Sequence, residues 1–283
     1  MAETAPGMPR LGVLSSVFPA PEEADAVDEH FVARIEDLLE EAALDGAVLV
    51  ELKFGGETVL RPGFMALFRE AERHVQMRHP RLRAEASYAL LLWYDPERLE
   101  RVVQACIHAA NEGLGGIDLL YNPYDTEADW TAAYRIAERA AAAGMGITAH
   151  AGEFSAANIA AALRVPGLTR LGHAVYAASD PHLLELAAKK CVTIECCLSC
   201  NVVLGAVRSY EEHPIHQFAA YGMPIALGTD NPVQMTTTIG REYAAAHALG
   251  FSEGQLLGFT RNAVSAAFTT PARREKLLAE LDE

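Results

Sequence analysis

Seven short β-type runs recur along the chain, and helical patterns alternate with them. The β-type runs lie at residues 47–54, 83–93, 115–122, 145–151, 168–174, 191–197 and 223–229. The helical patterns lie at residues 64–79, 96–112, 130–143, 156–163, 181–190 and about 215–221. This alternation predicts a parallel sheet covered by helices, which either closes into a barrel or stays open and doubly wound.

Two features favour the barrel. No glycine-rich phosphate-binding turn follows any of the runs, so we expect no nucleotide cofactor. Polar side chains instead fall at or just after the carboxyl ends of successive runs, namely His150, His173, Asn201 and Asp230. Because barrel enzymes build their active sites at that end of the strands, the sequence predicts an α/β fold of the TIM-type (β/α) barrel class, with seven recognisable strands.

The helix boundaries carry capping residues. Asp95 and Asp180 each precede a proline, which places an N-cap carboxylate ahead of a residue whose missing N–H is not needed there. Ser252 and Gln255 predict a capping box for a late helix. We therefore divide the chain into an irregular N-terminal segment, residues 1–27, and one barrel domain with C-terminal helices, residues 28–283.

Charge and composition narrow the choice of partners. The chain of 283 residues carries a formal net charge of −15. Because that charge repels nucleic-acid phosphates and anionic membranes, we expect neither as a partner and a small-molecule substrate instead. No apolar run approaches the roughly 20 residues that span a bilayer, and the N-terminus lacks the pattern of a secretion signal, so we expect a cytoplasmic protein. Five cysteines, an odd number in a long chain, do not suggest a disulfide framework.

The segment GITAHAGEF, residues 146–154, places His150 and Glu153 at the end of one run. His173 and Asp230 stand at the ends of two others, so the predicted rim combines two imidazoles with two carboxyl groups. These groups serve metal-assisted hydrolysis, as ligands of a divalent cation and as an acid that moves a proton. Any one of them alone is more often structural, and their convergence is what predicts a hydrolytic site.

Six ordered blocks resemble the adenosine deaminase family of the amidohydrolase superfamily. TAHAGEF resembles the family's T-x-H-A-G-E, RLGHA (170–174) its R-I-G-H-G, and IECCLSCNVVLGAV (194–207) its E-x-C-P-x-S-N segment. AVLVELKF resembles its Y-x-E-L-R-F strand, HPIHQFAAYGMPIALGTDNP (213–232) its H-P and N-T-D-D-P segments, and RNAVSAAF (261–268) its closing helix. The resemblance covers about residue 28 to about residue 270.

The resemblance implies a zinc-dependent hydrolytic deaminase. It implies His150 and Asp230 as ligands of one zinc ion, Glu153 as the acid that protonates a purine ring nitrogen, and His173 as the group that holds and polarises the attacking hydroxide. Glu153 would need a buried site to carry a proton at neutral pH. Gly152 would either leave room for a flat substrate or form a tight turn.

Two metal ligands of the family have no counterpart in this sequence. The family's first strand carries H-x-H, and none of the ten histidines here has that spacing, so the strand that is missing or replaced is the first. Catalytic zinc sites normally have three protein ligands, and only two remain. Two explanations stay open: the sequence begins at an internal start and H-x-H lies upstream, or the chain has lost strong zinc binding.

Further departures concern the substrate pocket. Asn231 stands where the family has a second aspartate, and Leu120 with Tyr121 replaces small residues beside the base. The resemblance therefore places Asn231, Tyr121 and Gly152 at the substrate and indicates an altered base pocket. Deamination follows from the resemblance more directly than adenosine as the substrate.

The remaining polar residues receive structural interpretations. Cys200 replaces a serine of the family and forms a C-x-x-C with Cys197, for which a redox or structural-zinc role is the less favoured interpretation because no second pair accompanies it. His213 is interpreted as a helix-start residue, and Arg261 with Asn262 as a brace between the last helix and the barrel.

The sequence thus predicts a metal-dependent deaminase that converts an aminopurine or purine nucleoside to the oxo product and ammonia. The alternative is a truncated or non-catalytic relative, which binds a small ligand, or a partner chain through open sheet edges, without turnover.

Overall fold

Seven strands alternate with helices in the computed structural model, which describes residues 27–121 and 126–282. Of the predicted irregular segment, residues 1–26 lie outside the described residues. The strands are β1 (Leu49–Phe54), β2 (Arg83–Leu91), β3 (Leu114–Leu120), β4 (Gly146–Ala151), β5 (Leu168–His173), β6 (Thr193–Cys196) and β7 (Ile225–Leu227). The α-helices are α1 (Asp28–Leu44), α2 (Phe64–Gln76), α3 (Pro96–Ala110), α4 (Thr131–Ala142), α5 (Ile159–Ala162), α6 (Pro181–Lys190), α7 (Leu198–Val203), α8 (Ile215–Ala220), α9 (Pro232–Met235), α10 (Ile239–Ala248), α11 (Glu253–Ala266) and α12 (Pro271–Glu280).

The strands form one parallel sheet in chain order, from β1 to β7. A curled parallel sheet with surrounding helices confirms the predicted TIM-type (β/α) barrel with seven strands. β1 and β7 are the two edges of the described sheet, and the eighth strand of a complete barrel would lie between them. All carboxyl ends of the strands therefore meet at one rim.

The helices pack on the sheet through apolar stripes. In α2 the buried side chains include Phe64, Phe68 and Val75, which recur at the spacing of one helical face. α3 buries Val102 and Cys106 in the same way. Within the described ranges, no helix is both long and apolar enough to cross a membrane.

Phe268 fills the amino end of the barrel. Its ring lies against Gly116 of β3 and Gly146 of β4, where an added Cβ would come within 2.1 Å of the ring carbons. The guanidinium carbon of Arg170 lies 3.5 Å from the centre of the ring on another side. The amino end is thus closed by packed side chains, whereas the predicted site residues lie towards the carboxyl end.

One predicted helix is shorter than the sequence indicated. The pattern at residues 156–163 predicts two helical turns, whereas the structure has a single turn, Ile159–Ala162. Asn158 explains the difference, because its side-chain oxygen accepts hydrogen bonds from the Ala128 backbone at 2.9 Å and from Trp130 Nε1 at 3.1 Å. Asparagine that bonds to other segments favours a loop over a helix interior.

Candidate active site

Four of the predicted site residues lie at the carboxyl rim of the sheet. His150 is the last but one residue of β4, and Glu153 follows that strand after the turn at Gly152. His173 ends β5, and Asp230 follows β7. His173 (φ 62°) and Asp230 (φ 56°) adopt left-handed backbone conformations that non-glycine residues seldom occupy, and such conformations cluster at functional sites.

His173 lies at the centre of this group. Its Nε2 is 3.8 Å from Glu153 Oε2 and 3.9 Å from Asp230 Oδ2. The rings of His150 and His173 meet edge to face with their centres 4.9 Å apart. Glu153 and His173 are buried, whereas the side chain of Asp230 is 37% exposed, so the group opens towards solvent at Asp230.

A second contact orients His150. Its Nδ1 lies 2.6 Å from Oδ2 of the fully buried Asp118 on β3, which leaves Nε2 free to act as a ligand. Lys53 of β1 lies 3.0 Å from the same oxygen. Burial opposes the charge on Asp118, but His150 and Lys53 outweigh it and hold the pKa of Asp118 below its ordinary value.

The charge on His150 follows from the same contact. Burial works against an imidazolium, but the neighbouring Asp118 carboxylate outweighs that effect and raises the pKa of His150. A cation ligated at Nε2 would therefore compete with a proton for this imidazole.

Asn201 and His213 fix the protonation of His173. The Ile215 backbone donates to His213 Nδ1 at 3.2 Å, and His213 Nε2 donates to Asn201 Oδ1 at 3.2 Å. Asn201 Nδ2 donates in turn to His173 Nδ1 at 3.1 Å. Because every donor in this chain points the same way, neutral His173 carries its proton on Nε2, towards Glu153 and Asp230.

His213 does stand at the start of α8, as interpreted from the sequence, and it has a second role through its contact with Asn201. His213 is buried, and burial, with a smaller effect of His173, lowers its pKa to about 3. A neutral histidine is what the directed chain of hydrogen bonds requires. Arg261 and Asn262 do brace the end of the fold, because Arg261 donates to the Leu281 carbonyl and Asn262 to the Ile225 carbonyl of β7.

The three predicted substrate residues all make contacts within the protein. Asn231 Oδ1 caps α9 by accepting from the Gln234 backbone at 3.0 Å. The Tyr121 hydroxyl donates to the Asp129 carbonyl at 2.6 Å. Gly152 has φ 83°, and an added Cβ would lie 2.7 Å from Ile159 Cδ1, so the tight turn requires a glycine whatever the substrate does.

The donor set fits a divalent cation. Zinc-ligating histidines usually place their other ring nitrogen on a carboxylate, as His150 does with Asp118. Among the described residues, Glu153, Cys200 and Asp230 each bring one potential ligand atom within 4.8 Å of the others. Imidazole nitrogen, carboxylate oxygen and thiolate sulfur are all ligands that zinc accepts.

Lys53 and Asp118 belong to the site but are not among the residues predicted from the sequence. Asp118 interrupts the buried and otherwise apolar strand β3, and a charged residue in such a strand is a signal that could have found it. Lys53 lies in the partly buried β1, which carries no comparable signal. Cys200 was noticed only for its spacing to Cys197. Its proximity to Asp230 depends on how α7 lies against the segment that follows β7, which no local pattern records.

Comparisons with known proteins show what the chain is similar to. The family model described as adenosine deaminase matches residues 35–283. An adenosine deaminase from Shewanella loihica is 40% identical over 139 residues, which cover 48% of this chain and 42% of the relative. An adenine deaminase from Rhizobium leguminosarum bv. trifolii is 32% identical over 191 residues, which cover 66% of this chain and 58% of the relative. The alignments thus span about half the length of these relatives.

Solved structures show the same fold. The Arabidopsis ADAL protein in complex with IMP superimposes with a TM-score of 0.83 at 21% identity, covering 96% of this chain and 82% of that one. A Burkholderia amidohydrolase with bound zinc superimposes with a TM-score of 0.79 at 19% identity, covering 90% of this chain and 72% of that one. With the family model matching most of its length, the chain belongs to the adenosine deaminase family.

Proposed function

We propose that this chain is a metal-dependent hydrolytic deaminase that converts an aminopurine, free or as a nucleoside or nucleotide, to the oxo compound and ammonia. The observation that carries the proposal is that Glu153 and Asp230 lie 3.8 and 3.9 Å from His173 Nε2 at the rim. The ring of His150 contacts that of His173. The names of the matched relatives, adenosine deaminase and adenine deaminase, support a purine as substrate.

Glu153 is the proton donor in this proposal. Protonation of the ring nitrogen next to the amino-bearing carbon makes that carbon electrophilic, and the oxygen of water then adds to it. Loss of the amine as ammonia leaves the carbonyl, so water is consumed and no electrons are transferred. Glu153 is 4% exposed, so its carboxyl group is shielded from bulk water where it would meet the substrate ring.

His173 acts through its N–H. Because Asn201 donates to Nδ1, the proton on Nε2 points towards the attacking oxygen and can hold it by a hydrogen bond. His150 and Asp230 would hold the cation. A bound zinc ion would supply Lewis acidity, which brings the pKa of water down to about 7.

Ammonia release from a panel of aminopurines tests the proposal. We expect purified chain reconstituted with zinc to release ammonia from at least one of adenine, adenosine and AMP. Glu153→Gln should lower kcat by at least about 100-fold with zinc content unchanged, because general acids contribute about that much or more. Glu185→Gln, an exposed residue of α6, is the matched control and should retain activity.

The outcomes separate the roles. If no aminopurine in the panel releases ammonia, the chain is a non-catalytic binder and the proposal is wrong. If Glu153→Gln loses its zinc together with its activity, Glu153 is a ligand rather than the acid.

A further inference from the structure

Cys200 lies between the two carboxylates of the site. Its Sγ is 2.9 Å from Asp230 Oδ2 and 3.9 Å from Glu153 Oε1. The thiol belongs to α7, which begins directly after β6, and the residue is fully buried. The three side chains form the group whose ligand atoms lie within 4.8 Å of one another.

Glu153 provides a second, independent observation. Its carboxylate is 4% exposed, and its contacts within the described ranges are the distant thiol of Cys200 and His173 Nε2 at 3.8 Å. Neither is a close hydrogen bond from a nitrogen or oxygen donor, although a buried carboxylate is unfavourable unless it is well paired. The carboxyl group thus faces the space between Cys200 and Asp230 without a close nitrogen or oxygen donor.

The separations suit a metal with four ligands. Zinc bonds of about 2.3 Å to sulfur and about 2.0 Å to oxygen, at a tetrahedral angle, separate the two ligand atoms by about 3.5 Å. The contact between Cys200 and Asp230 would have to open by roughly half an ångström to reach that value. A change of this size needs only side-chain rotation.

We propose that Cys200 is a thiolate ligand of the cation that Asp230 holds, and that its sulfur adds a protein ligand to those that the family resemblance assigns. The thiol releases its proton to solvent as the sulfur–metal bond forms, with no change of oxidation state. Thiolate favours zinc or cadmium over magnesium, so the site takes a thiophilic divalent cation. This inference rests on the proposed function for the ligand roles of Asp230 and His150.

Cys197 distinguishes metal binding by Cys200 alone from metal binding by both cysteines of the C-x-x-C motif. Cys197 packs with Cys200 and Met235 in a small apolar cluster, but its sulfur is not among the clustered ligand atoms. Only one cysteine of the motif is therefore placed to bind the cation. Cys197 supplies the matched control.

The experiment measures the sulfur–metal bond directly. Full-length chain is freed of metal with a chelator and titrated with cadmium, and the ultraviolet thiolate-to-metal charge-transfer absorption is recorded. We expect an absorption band that saturates at one equivalent in the wild type and in Cys197→Ala, and that is lost in Cys200→Ser. Competition with a zinc-binding dye should show zinc affinity reduced by about tenfold or more in Cys200→Ser.

Each result decides the inference. A band that persists in Cys200→Ser, or wild-type chain that binds one equivalent without a band, shows that Cys200 is only a hydrogen-bond donor to Asp230 and overturns the proposal. Failure of the wild type to bind either metal also overturns it. Thermal unfolding of Cys200→Ser checks that this variant folds. If it does not fold, Asp230→Asn is titrated in its place and should weaken the band. A metal band without ammonia release refutes only the proposed function, and ammonia release without the band refutes only this inference.

Discussion

At the scale of single residues, a directed chain of hydrogen bonds sets the chemistry of His173. A histidine can carry its proton on either ring nitrogen, and only Nε2 faces Glu153 and Asp230. The amide of Asn201 donates to Nδ1 and so assigns the proton to Nε2. His213 in turn fixes the orientation of that amide, because its Nε2 donates to the amide oxygen. A residue with no direct access to the substrate thus determines what His173 can donate.

The neutral state of His213 predicts a dependence of stability on pH. Its folded pKa is lowered to about 3 from an ordinary value of 6.5, first by burial and then by His173. Between those values the unfolded chain binds more protons than the folded chain, so stability falls as the pH falls from about 6.5 towards 3. Between about pH 7 and about pH 4.5 we expect His213 to contribute a loss of roughly 2–3 kcal/mol.

Urea unfolding at the two pH values measures this contribution. His213→Gln should lower the unfolding free energy at neutral pH but show a shallower decline towards acid. His182→Gln, an exposed histidine on α6, should decline as the wild type does. Equal slopes in all three proteins would show that His213 does not stay neutral.

At the scale of strands and helices, the ring of Phe268 fits against β3 and β4 because each strand has a glycine at the point of contact. A Cβ at Gly146 would lie 2.1 Å from Cδ1 of the ring, which Arg170 covers on another side. We expect Gly146→Ala to destabilise the fold by about 1–3 kcal/mol, the usual cost of overpacking. Gly254→Ala is the control, because a Cβ there meets nothing within 4 Å.

Chemical unfolding of both variants gives the comparison. Gly254→Ala should be neutral or stabilising by up to about 1 kcal/mol, since Gly254 lies in the first turn of α11 and alanine has a higher helix propensity than glycine. Combining Gly146→Ala with Phe268→Leu should recover part of the loss relative to Phe268→Leu alone. If Gly146→Ala matches the wild type, the ring can move aside and does not close the barrel as tightly as the contacts imply.

The elements that follow from local chemistry were predictable from the sequence. Asp95 and Asp180 accept hydrogen bonds from Arg98 N and His182 N, and Ser252 with Gln255 forms the predicted capping box. The alternation of β-type runs and helical patterns predicted the barrel, and the polar residues at the ends of the runs predicted where the site lies. What the sequence could not show are contacts between distant segments, such as Asn158 with Trp130 or Cys200 with Asp230, because each depends on the packing of finished elements.

At the scale of the whole molecule, Arg170 connects the beginning of the described fold with its end. From β5 its guanidinium pairs with Glu51 of β1, donating to Oε2 at 2.8 Å, and lies 2.9 Å from Glu195 of β6. Arg170 also donates to the Ala266 carbonyl at 3.3 Å, and Glu51 accepts from the Phe268 backbone at 3.0 Å. The buried Arg170 side chain therefore connects β1, β5 and β6 with the segment that follows α11.

Replacing Arg170 should remove all of these contacts together and lower the free energy of unfolding. Arg170→Met leaves Glu51 and Glu195 without their arginine, and breaking a buried pair on one side typically costs about 3–5 kcal/mol. Arg170→Lys keeps the charge but not the planar fork that reaches several acceptors, so we expect an intermediate loss. Unfolding free energies from guanidinium titration at neutral pH measure both variants.

The double variant separates charge from packing. Adding Glu51→Gln to Arg170→Met removes one of the unpaired charges, so the pair should lose less stability than the two single changes summed. Additive losses would mean that Glu51 and Arg170 act independently, each through its own contact with the segment at Phe268. A smaller loss than the sum would instead show that β5, the edge strand β1 and the segment at Phe268 are held together by one coupled ion pair.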